Sequence, residues 1–254
     1  MTVMRSIDLP NDMPAVVAFE DRCSTGFVDS PHAHDRAQLS FALSGVLTIN
    51  TGEASFVLPP NRAIWIPPHK RHQTICRSEA VFQLLYIHPG FVPQQRDCRV
   101  FDTSPLLRAL ISEITGFDYH YAMEGREAMI VRLLLNEIER MPMIPIRAPL
   151  PSDRRLRRVC EAILADPADT RDIDYWAKQA GMARRTFTRC FREQTGMGLA
   201  TWRRQVRGME AASRIAAGEP ITSVAYDVGY DSPSAFTAMF HRTFGATPSA
   251  YRRC

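Results

Sequence analysis

The sequence from residue 173 to residue 253 repeats one pattern of apolar residues and glycines. The apolar residues and glycines of the first copy that recur as the same residue type 48 or 49 positions later are Ile173, Ala177, Gly181, Phe187, Phe191 and Gly196. A fixed period of this length means that each copy is one unit of supersecondary structure. The chain therefore contains the same local fold twice.

Each copy has the spacing of a short helix, a turn with glycine, and a second helix. Phe187 and Phe191 are four residues apart, which places both on the buried side of a helix. Gly181 is positioned to end the first helix in a left-handed conformation. Ser232 and Pro233 supply an N-cap and a first helical residue for the last of the four helices. This arrangement predicts two helix-turn-helix units, whose second helix enters the major groove of DNA.

The side of each second helix that lies opposite its phenylalanines is polar. Arginine reads guanine or contacts phosphate, and Ser, Thr and His can do either. A solvated surface on an ordinary helical bundle would explain one such helix, but two copies in one register favour DNA binding. The candidate DNA-binding residues are Arg184, Arg185, Thr188, Arg189, Arg192, Ser232, Ser234, Thr237, His241 and Arg242.

This C-terminal sequence resembles the AraC/XylS family of bacterial transcription regulators. The segments that carry the resemblance are Arg189–Gly196, the block from Ile221 to Tyr230, and Phe244–Arg252. The resemblance implies two helix-turn-helix units joined by one helix, from about Leu199 to Ala217. The sequence departs from the family at two positions. Ala183 replaces a usual Ser, which leaves the first recognition helix without its cap, and Ala238 replaces the Arg of many members.

Charge and proline content divide the chain into parts. Residues 1–151 contain 14 basic and 16 acidic residues, whereas residues 152–254 contain 17 basic and 11 acidic ones. A basic second half suits contact with phosphate. Four prolines between residues 141 and 151 indicate an extended connector. The predicted parts are a sensing and dimerisation domain at 1–140, a linker at 141–152, and a DNA-binding domain at 153–254.

The first domain begins with seven short segments, between Ala15 and Ile87, that are rich in β-branched and aromatic residues. Such segments, separated by close turns, predict a β-sandwich or barrel. After Pro105 the apolar residues fall at helical spacing and predict flanking helices. The predicted fold class is therefore α+β in two domains. One apolar helical stripe predicts either a homodimer seam or packing on the barrel, and it consists of Met129, Ile130, Leu133 and Leu134.

A histidine pattern in the first domain resembles the two cupin motifs. The residues that match are His32, His34, Gln38 and Gly45, followed by Pro67 and His72. In metal-binding cupins three His and one Glu hold a divalent cation inside the barrel. The resemblance implies a cupin-like barrel in which His32, His34, Gln38 and His72 either bind a divalent metal or only form hydrogen bonds. We expect His32 and His34 to alternate along a strand and share one face.

The barrel interior is the predicted effector site. Gln38, Phe41, Trp65 and His72 would line a pocket for a small, partly apolar ligand. The predicted function is a sequence-specific DNA-binding regulator that responds to a small-molecule effector. The alternative is a cupin metalloenzyme, dioxygenase-like, that carries a DNA-binding tail. Because Gln38 replaces the carboxylate that such chemistry needs, we do not expect an enzyme.

The cysteines and the apolar segments predict the compartment. Six cysteines without a C-x-x-C pair are expected to be reduced thiols. The sequence has neither a secretory signal pattern nor an apolar run of about 18 residues. We therefore expect a cytoplasmic protein that has double-stranded DNA and a small effector as partners and does not enter a membrane.

Overall fold

The computed structural model describes residues 14–92, 97–118, 120–122, 124–144 and 147–252. Contacts divide the chain into two units, one of residues 1–49 with 58–145 and the other of residues 50–57 with 146–254. Within the described ranges, no helix combines the length and the apolar character needed to cross a membrane.

The strands form two antiparallel sheets. Their bounds are Val16–Cys23 (β1), Ala37–Ser44 (β2), Leu47–Thr51 (β3), Ala54–Leu58 (β4), Arg62–Ile66 (β5), His72–Cys76 (β6), Ala80–Ile87 (β7), Arg99–Asp102 (β8) and Ala148–Pro149 (β9). The first sheet has the order β1-β7-β2-β5-β8 and the second has the order β6-β3-β4-β9. The predicted β-rich domain is confirmed, as two open sheets rather than a closed barrel.

Strand β2 lies in the middle of the first sheet and separates two environments. Leu39 and Phe41 face a buried apolar core that also contains Trp65. Gln38 and Ser40 point to the other face of the same sheet, because successive residues of a strand alternate between its faces. This alternation decides which residues of the first unit can meet in one site.

Two helices cover the Leu39 side of the sheet. These are α1, Pro105–Thr115, and α2, Gly125–Arg140. Leu134 of α2 is fully buried in the core, whereas Met129 is 64% exposed and Leu133 is 42% exposed. The apolar stripe predicted on α2 therefore divides into a core side and an exposed side.

The second unit consists mainly of helices. Their bounds are Arg154–Ala165 (α3), Ile173–Gln179 (α4), Arg184–Thr195 (α5), Leu199–Ala216 (α6), Ile221–Asp227 (α7), Pro233–Phe244 (α8) and Pro248–Arg252 (α9). Helix α7 begins 48 residues after α4, and α8 begins 49 residues after α5. The predicted repeat, its two helix-turn-helix units and the joining helix α6 are confirmed.

The turns and caps of the two helix-turn-helix units follow the sequence. Gly181 and Gly229 adopt φ angles of 62° and 84° after α4 and α7, a conformation that glycine reaches without strain. The Ser232 hydroxyl accepts a hydrogen bond from the Ala235 amide and caps α8. Ala183 at the same position of α5 makes no side-chain cap. The missing cap predicted for the first recognition helix is therefore confirmed.

Part of the predicted proline-rich connector is bound within the second unit. Strand β9 pairs with β4 through Ala148 and Pro149. The Trp202 indole of α6 donates to the Pro149 carbonyl at 2.7 Å, and Arg157 donates to the Gly52 carbonyl at 2.6 Å. The pairing with β4 and the Trp202 bond hold the backbone of residues 148 and 149 in place, and the Arg157 bond joins α3 to the turn between β3 and β4.

The expectation that all six cysteines are thiols is wrong for one pair. Cys23, at the end of β1, and Cys76, at the end of β6, form a disulfide. The two residues are 53 positions apart in sequence, so their pairing arises from the tertiary fold. Cys98 and Cys160 are buried, and Cys254 lies outside the described residues.

Candidate functional site

Helix α5 presents its arginines to solvent on the side away from the core. Phe187 and Phe191 are fully buried and point inward. The opposite side forms one open surface lined by Arg184, Arg185, Thr188, Arg189, Arg192 and Glu193. All five predicted DNA-binding residues of this helix therefore lie on a single exposed surface.

The arginines of α5 differ in their ion-pair partners. Arg184 donates to Asp174 at 2.9 Å, and Arg189 donates to both carboxylate oxygens of Glu193 at 3.0 and 3.2 Å. Among the residues that the structure describes, Arg185 and Arg192 have no carboxylate partner. These two guanidinium groups can contact DNA without first leaving an acidic neighbour.

Helix α8 presents a less basic surface. Its open side is lined by Pro233, Ser234, Thr237, Ala238, His241, Arg242 and Thr247. Ser232 lies at the N-terminal end of the helix, where its hydroxyl is engaged in the cap. The open side of α8 therefore contains four of the five DNA-binding residues predicted for this helix. Arg242 is the one arginine among them.

Two arginines of helix α6, Arg203 and Arg207, bond to neighbouring loops of the second unit. Arg207 donates to the carbonyls of Pro167, Asp169 and Gly229. Arg203 is turned toward the carbonyl of Arg171, to which it donates at 2.6 Å. These bonds join α6 to the loops before α4 and after α7, and they stabilise the arrangement of the two recognition helices.

The first unit brings the four predicted metal-site residues together. His32, His34 and His72 each offer one ring nitrogen, and these nitrogens lie within 4.8 Å of one another. Gln38 Oε1 lies 3.0 Å from His34 Nε2 and 3.2 Å from His72 Nε2. We call these four residues the histidine cluster.

The backbone path that forms the histidine cluster differs from the prediction. The strand predicted through His32 and His34 is wrong, because β2 begins only at Ala37. His32 instead forms an isolated antiparallel bridge with His72, in which each backbone amide donates to the other carbonyl at 2.9 Å. This bridge brings together two histidines that are 40 positions apart in sequence.

The protonation state of the cluster follows from its burial. Burial lowers the pKa of the His72 imidazole to about 4, and burial also lowers the pKa of His34. Both rings are therefore neutral at pH 7.

The structure separates the four residues predicted to bind an effector. Gln38 and His72 meet in the histidine cluster, but Phe41 and Trp65 lie in the core beneath α1 and α2. Phe41 is three positions after Gln38 on β2, so the alternation of side chains turns it to the opposite face. Phe41 and Trp65 therefore cannot line a pocket with Gln38.

A small cavity adjoins the histidine cluster between the two sheets. His32, Gln38 and Ser40 line one side, and the apolar residues Leu47 and Phe82 are among those that complete it. Its volume is about 30 Å³, whereas a drug-sized ligand needs roughly 300–1,000 Å³. The cavity has room for one water molecule or one ion.

Two residues of this site were not predicted from the sequence. Ser40 accepts a hydrogen bond from Gln38 Nε2 at 2.9 Å, and Asp29 Oδ2 lies 3.2 Å from His32 Nδ1. Ser40 could have been found, because it is two positions after Gln38 and shares its face of β2. Asp29 depends on a loop conformation that no sequence pattern indicates.

Comparison with known proteins gives two family matches and several similar proteins. The family model of the AraC-like ligand binding domain matches residues 14–141, and that of a helix-turn-helix domain matches residues 176–254. The HTH-type transcriptional regulator NimR of Escherichia coli (strain K12) is 29% identical over 238 residues, which cover 93% of this chain and 87% of NimR. A structure of ToxT from Vibrio cholerae aligns with 94% of this chain and 98% of its own, at 14% identity and a TM-score of 0.41.

The arabinose operon regulatory protein of Escherichia coli (strain K12) extends the likeness across both units. It is 30% identical over 252 residues, which cover 89% of this chain and 83% of that protein. The ligand-binding match, the helix-turn-helix match and this near full-length similarity agree with one another. The chain belongs to the AraC family of helix-turn-helix transcriptional regulators.

Proposed function

We propose that this regulator binds DNA through α5 and α8 and that a ligand at the histidine cluster changes its DNA binding. The observation that carries the proposal is the doubled helix-turn-helix unit, in which α5 and α8 each bury phenylalanines and expose polar residues. The ligand-binding family match to the first unit supports a regulatory ligand.

The length of α6 supports binding to two successive major grooves. Its 18 residues span roughly 27 Å at about 1.5 Å per residue. One turn of DNA spans about 34–36 Å, which is a comparable distance. We infer that each chain contacts two sub-sites, with α5 supplying most of the base contacts and α8 fewer.

We also propose that the regulator is a homodimer through the exposed side of α2. Met129 and Leu133 are large apolar side chains that remain exposed on this helix, while Leu134 is buried. Exposed apolar residues on one side of a helix are typical of an interface between protein chains. The dimer would place two DNA-binding units on one operator.

A regulator accounts for the chain better than a metalloenzyme does. The relatives are transcriptional regulators, and the helix-turn-helix units are complete. In the histidine cluster an amide, Gln38, stands where a metalloenzyme would need a carboxylate. We therefore assign the cluster to ligand binding.

Sequencing the genomic DNA fragments that the purified full-length protein retains tests this function. We expect a shared motif of two sub-sites about 10–10.5 base pairs apart. The matched control is a double variant, Arg185→Ala with Arg192→Ala, which should lose the enrichment while remaining folded by circular dichroism. Retention of fragments that share no motif, or of the same set by the double variant, would contradict the proposal.

A further inference from the structure

We propose that the two recognition helices read different bases, so that one protomer binds a guanine in one sub-site through α5 and a thymine in the next through α8. This inference rests on the proposed function, because it requires that both helices enter the major groove of DNA. The exposed surfaces of the two helices share one geometry but differ in chemistry, and this difference supports the inference.

The two exposed surfaces are built from the same positions of the repeated unit. The lining residues of α5 are Arg184, Arg185, Thr188, Arg189, Arg192 and Glu193. Those of α8 are Pro233, Ser234, Thr237, Ala238, His241 and Arg242, together with Thr247. Each residue of the second set except Thr247 lies 49 positions after its counterpart in the first set. The two surfaces therefore present six equivalent positions, whose side chains can be compared one by one.

The side chains at these positions are long and basic in α5 but mostly short in α8. Helix α5 has four arginines and one glutamate there, whereas α8 has one arginine. The counterpart of Arg185 is Ser234, and the counterpart of Arg189 is Ala238. Residues in the N-terminal part of a recognition helix contact the base edges. The part of each helix that meets the bases is therefore cationic in α5 and uncharged in α8.

In α5 the arginine placed to read a base is Arg185. It is the second residue of the helix, and it has no carboxylate partner in the part of the chain that the structure describes. Arg184 and Arg189 are each paired with a carboxylate within 3.0 Å. Arg192 lies about two turns further from the N-terminal end. Because a guanidinium donates to both the O6 and the N7 atoms of guanine, Arg185 selects guanine in its sub-site.

In α8 the equivalent part of the surface carries methyl groups. Ala238 is exposed at the position of Arg189, and Thr237 adds a second methyl group beside it. The Ser234 hydroxyl lies 3.2 Å from the hydroxyl of Ser232, so it is engaged within the helix. Thymine presents a methyl group in the major groove, and the methyl groups of Ala and Thr are its apolar partners. The α8 surface therefore selects thymine.

Arg242 allows α8 to read a base without a charged base contact. It lies on the same exposed surface, at the position that Glu193 occupies in α5. Contacts to phosphate fix the position of a protein on DNA, whereas contacts to bases specify the sequence. We infer that Arg242 binds phosphate while the methyl group of Ala238, which extends one bond beyond the backbone, contacts the base.

Selection of binding sequences from random double-stranded DNA by the full-length protein gives the first test. We expect two sub-sites about 10–10.5 base pairs apart, one with a fixed G·C pair and the other with a fixed A·T pair. The same base sequence in both sub-sites would overturn this inference and leave the proposed function standing. Absence of any enriched sequence would contradict both.

Two base analogues then identify the contacted atoms in the selected operator. Deoxyuridine in place of the fixed thymine removes one methyl group and should weaken binding by roughly 4-fold, the effect of one buried methyl group. 7-Deazaguanine in place of the fixed guanine removes the N7 acceptor and should weaken binding by roughly 10-fold, as loss of a hydrogen bond to a charged group does. Arg185→Ala should bind the guanine and 7-deazaguanine operators alike. Equal affinity of the parent for the thymine and uracil operators would exclude the methyl contact.

Two alanine substitutions assign the methyl contact to one residue. Ala238→Gly removes the methyl group and should bind the thymine and uracil operators alike. Ala235→Gly is the matched control, because it makes the same change at another exposed alanine of α8 that does not line the surface. The control should keep the 4-fold ratio, since a less stable helix weakens both operators equally. A ratio that survives in the Ala238 variant, or is lost in the Ala235 variant, would show that Ala238 is not the reader.

Ser234→Arg transfers the side chain of Arg185 to the equivalent position of α8. Selection repeated with this variant should give a fixed G·C pair in the second sub-site, at the place that the guanine occupies in the first. A damaged fold cannot imitate this gain of specificity. An unchanged second sub-site would refute the equivalence of the two surfaces.

Discussion

Replacement of single arginines on α5 should separate the residues that read bases from those that contact phosphate. Arg185 and Arg192 have no carboxylate partner among the described residues, whereas Arg189 is paired with Glu193. Arg189 must give up that pair before it can contact DNA. We therefore expect Arg185→Ala and Arg192→Ala to weaken operator binding more than Arg189→Ala does.

The size of the loss depends on the kind of contact. A bidentate contact to guanine contributes about 1–3 kcal/mol, so its removal should weaken binding by roughly 5- to 150-fold and relax specificity at one base pair. Loss of a phosphate contact should weaken all sequences alike and reduce the salt slope by about 0.9. Arg→Lys at the same position keeps the charge but loses the planar guanidinium, so it weakens only a base contact.

Fluorescence anisotropy of labelled operators over a salt series measures both quantities. Arg22→Ala is the matched control, because it removes one exposed positive charge from the first unit. Glu193→Gln should release Arg189, remove a negative charge from the DNA-binding surface and tighten binding. If Arg185→Ala, Arg189→Ala and Arg192→Ala all bound like the parent, the assignment of α5 as a recognition helix would be wrong.

Three further predictions test the geometry, the dimer and the caps. Five base pairs inserted between the sub-sites should abolish high-affinity binding, because half a turn moves one sub-site to the opposite side of the duplex; unchanged affinity in a gel-shift assay would mean that one unit alone reads DNA. Leu133→Asp should give folded monomers by light scattering, whereas Leu134→Ala should lower the free energy of unfolding by about 2–5 kcal/mol because Leu134 is core. Dimers of the Leu133→Asp variant would exclude the exposed side of α2 as the dimer interface. Ala183→Ser should raise the free energy of unfolding by about 0.5–2 kcal/mol, and Ser232→Ala should lower it by the same amount. If both variants had the denaturation midpoint of the parent, the capping argument would be refuted.

The sequence by itself determined the DNA-binding unit. Helix periodicity, the glycine turns and the caps are local properties, since each depends on residues within a few positions of one another. The repeat then gave a second instance of the apolar positions and of the glycine turns, because Phe187 and Phe236 occupy the same position of the repeated unit. For this reason the extent of α6, the start of α8 at Pro233 and the exposed side of α5 agree with the prediction.

The sequence also predicts which side chains of β2 share a face, but the predicted effector pocket did not take this alternation into account. Gln38 and Phe41 are three positions apart, so one strand cannot place both on the same face. Their separation in the structure follows from local geometry alone. Strand β8 was missed for another local reason, because Arg99 and Asp102 leave too few apolar residues to form a recognisable pattern.

Only the tertiary structure decided the ligand site and the state of the cysteines. The bridge between His32 and His72 joins distant segments, and so does the disulfide of Cys23 with Cys76. The tertiary structure also decided that Leu134 is core while Leu133 is exposed, because burial depends on which element packs against α2. Contacts between segments far apart in the chain depend on the whole packing arrangement, and a single sequence does not reveal which of many possible pairings buries the most surface.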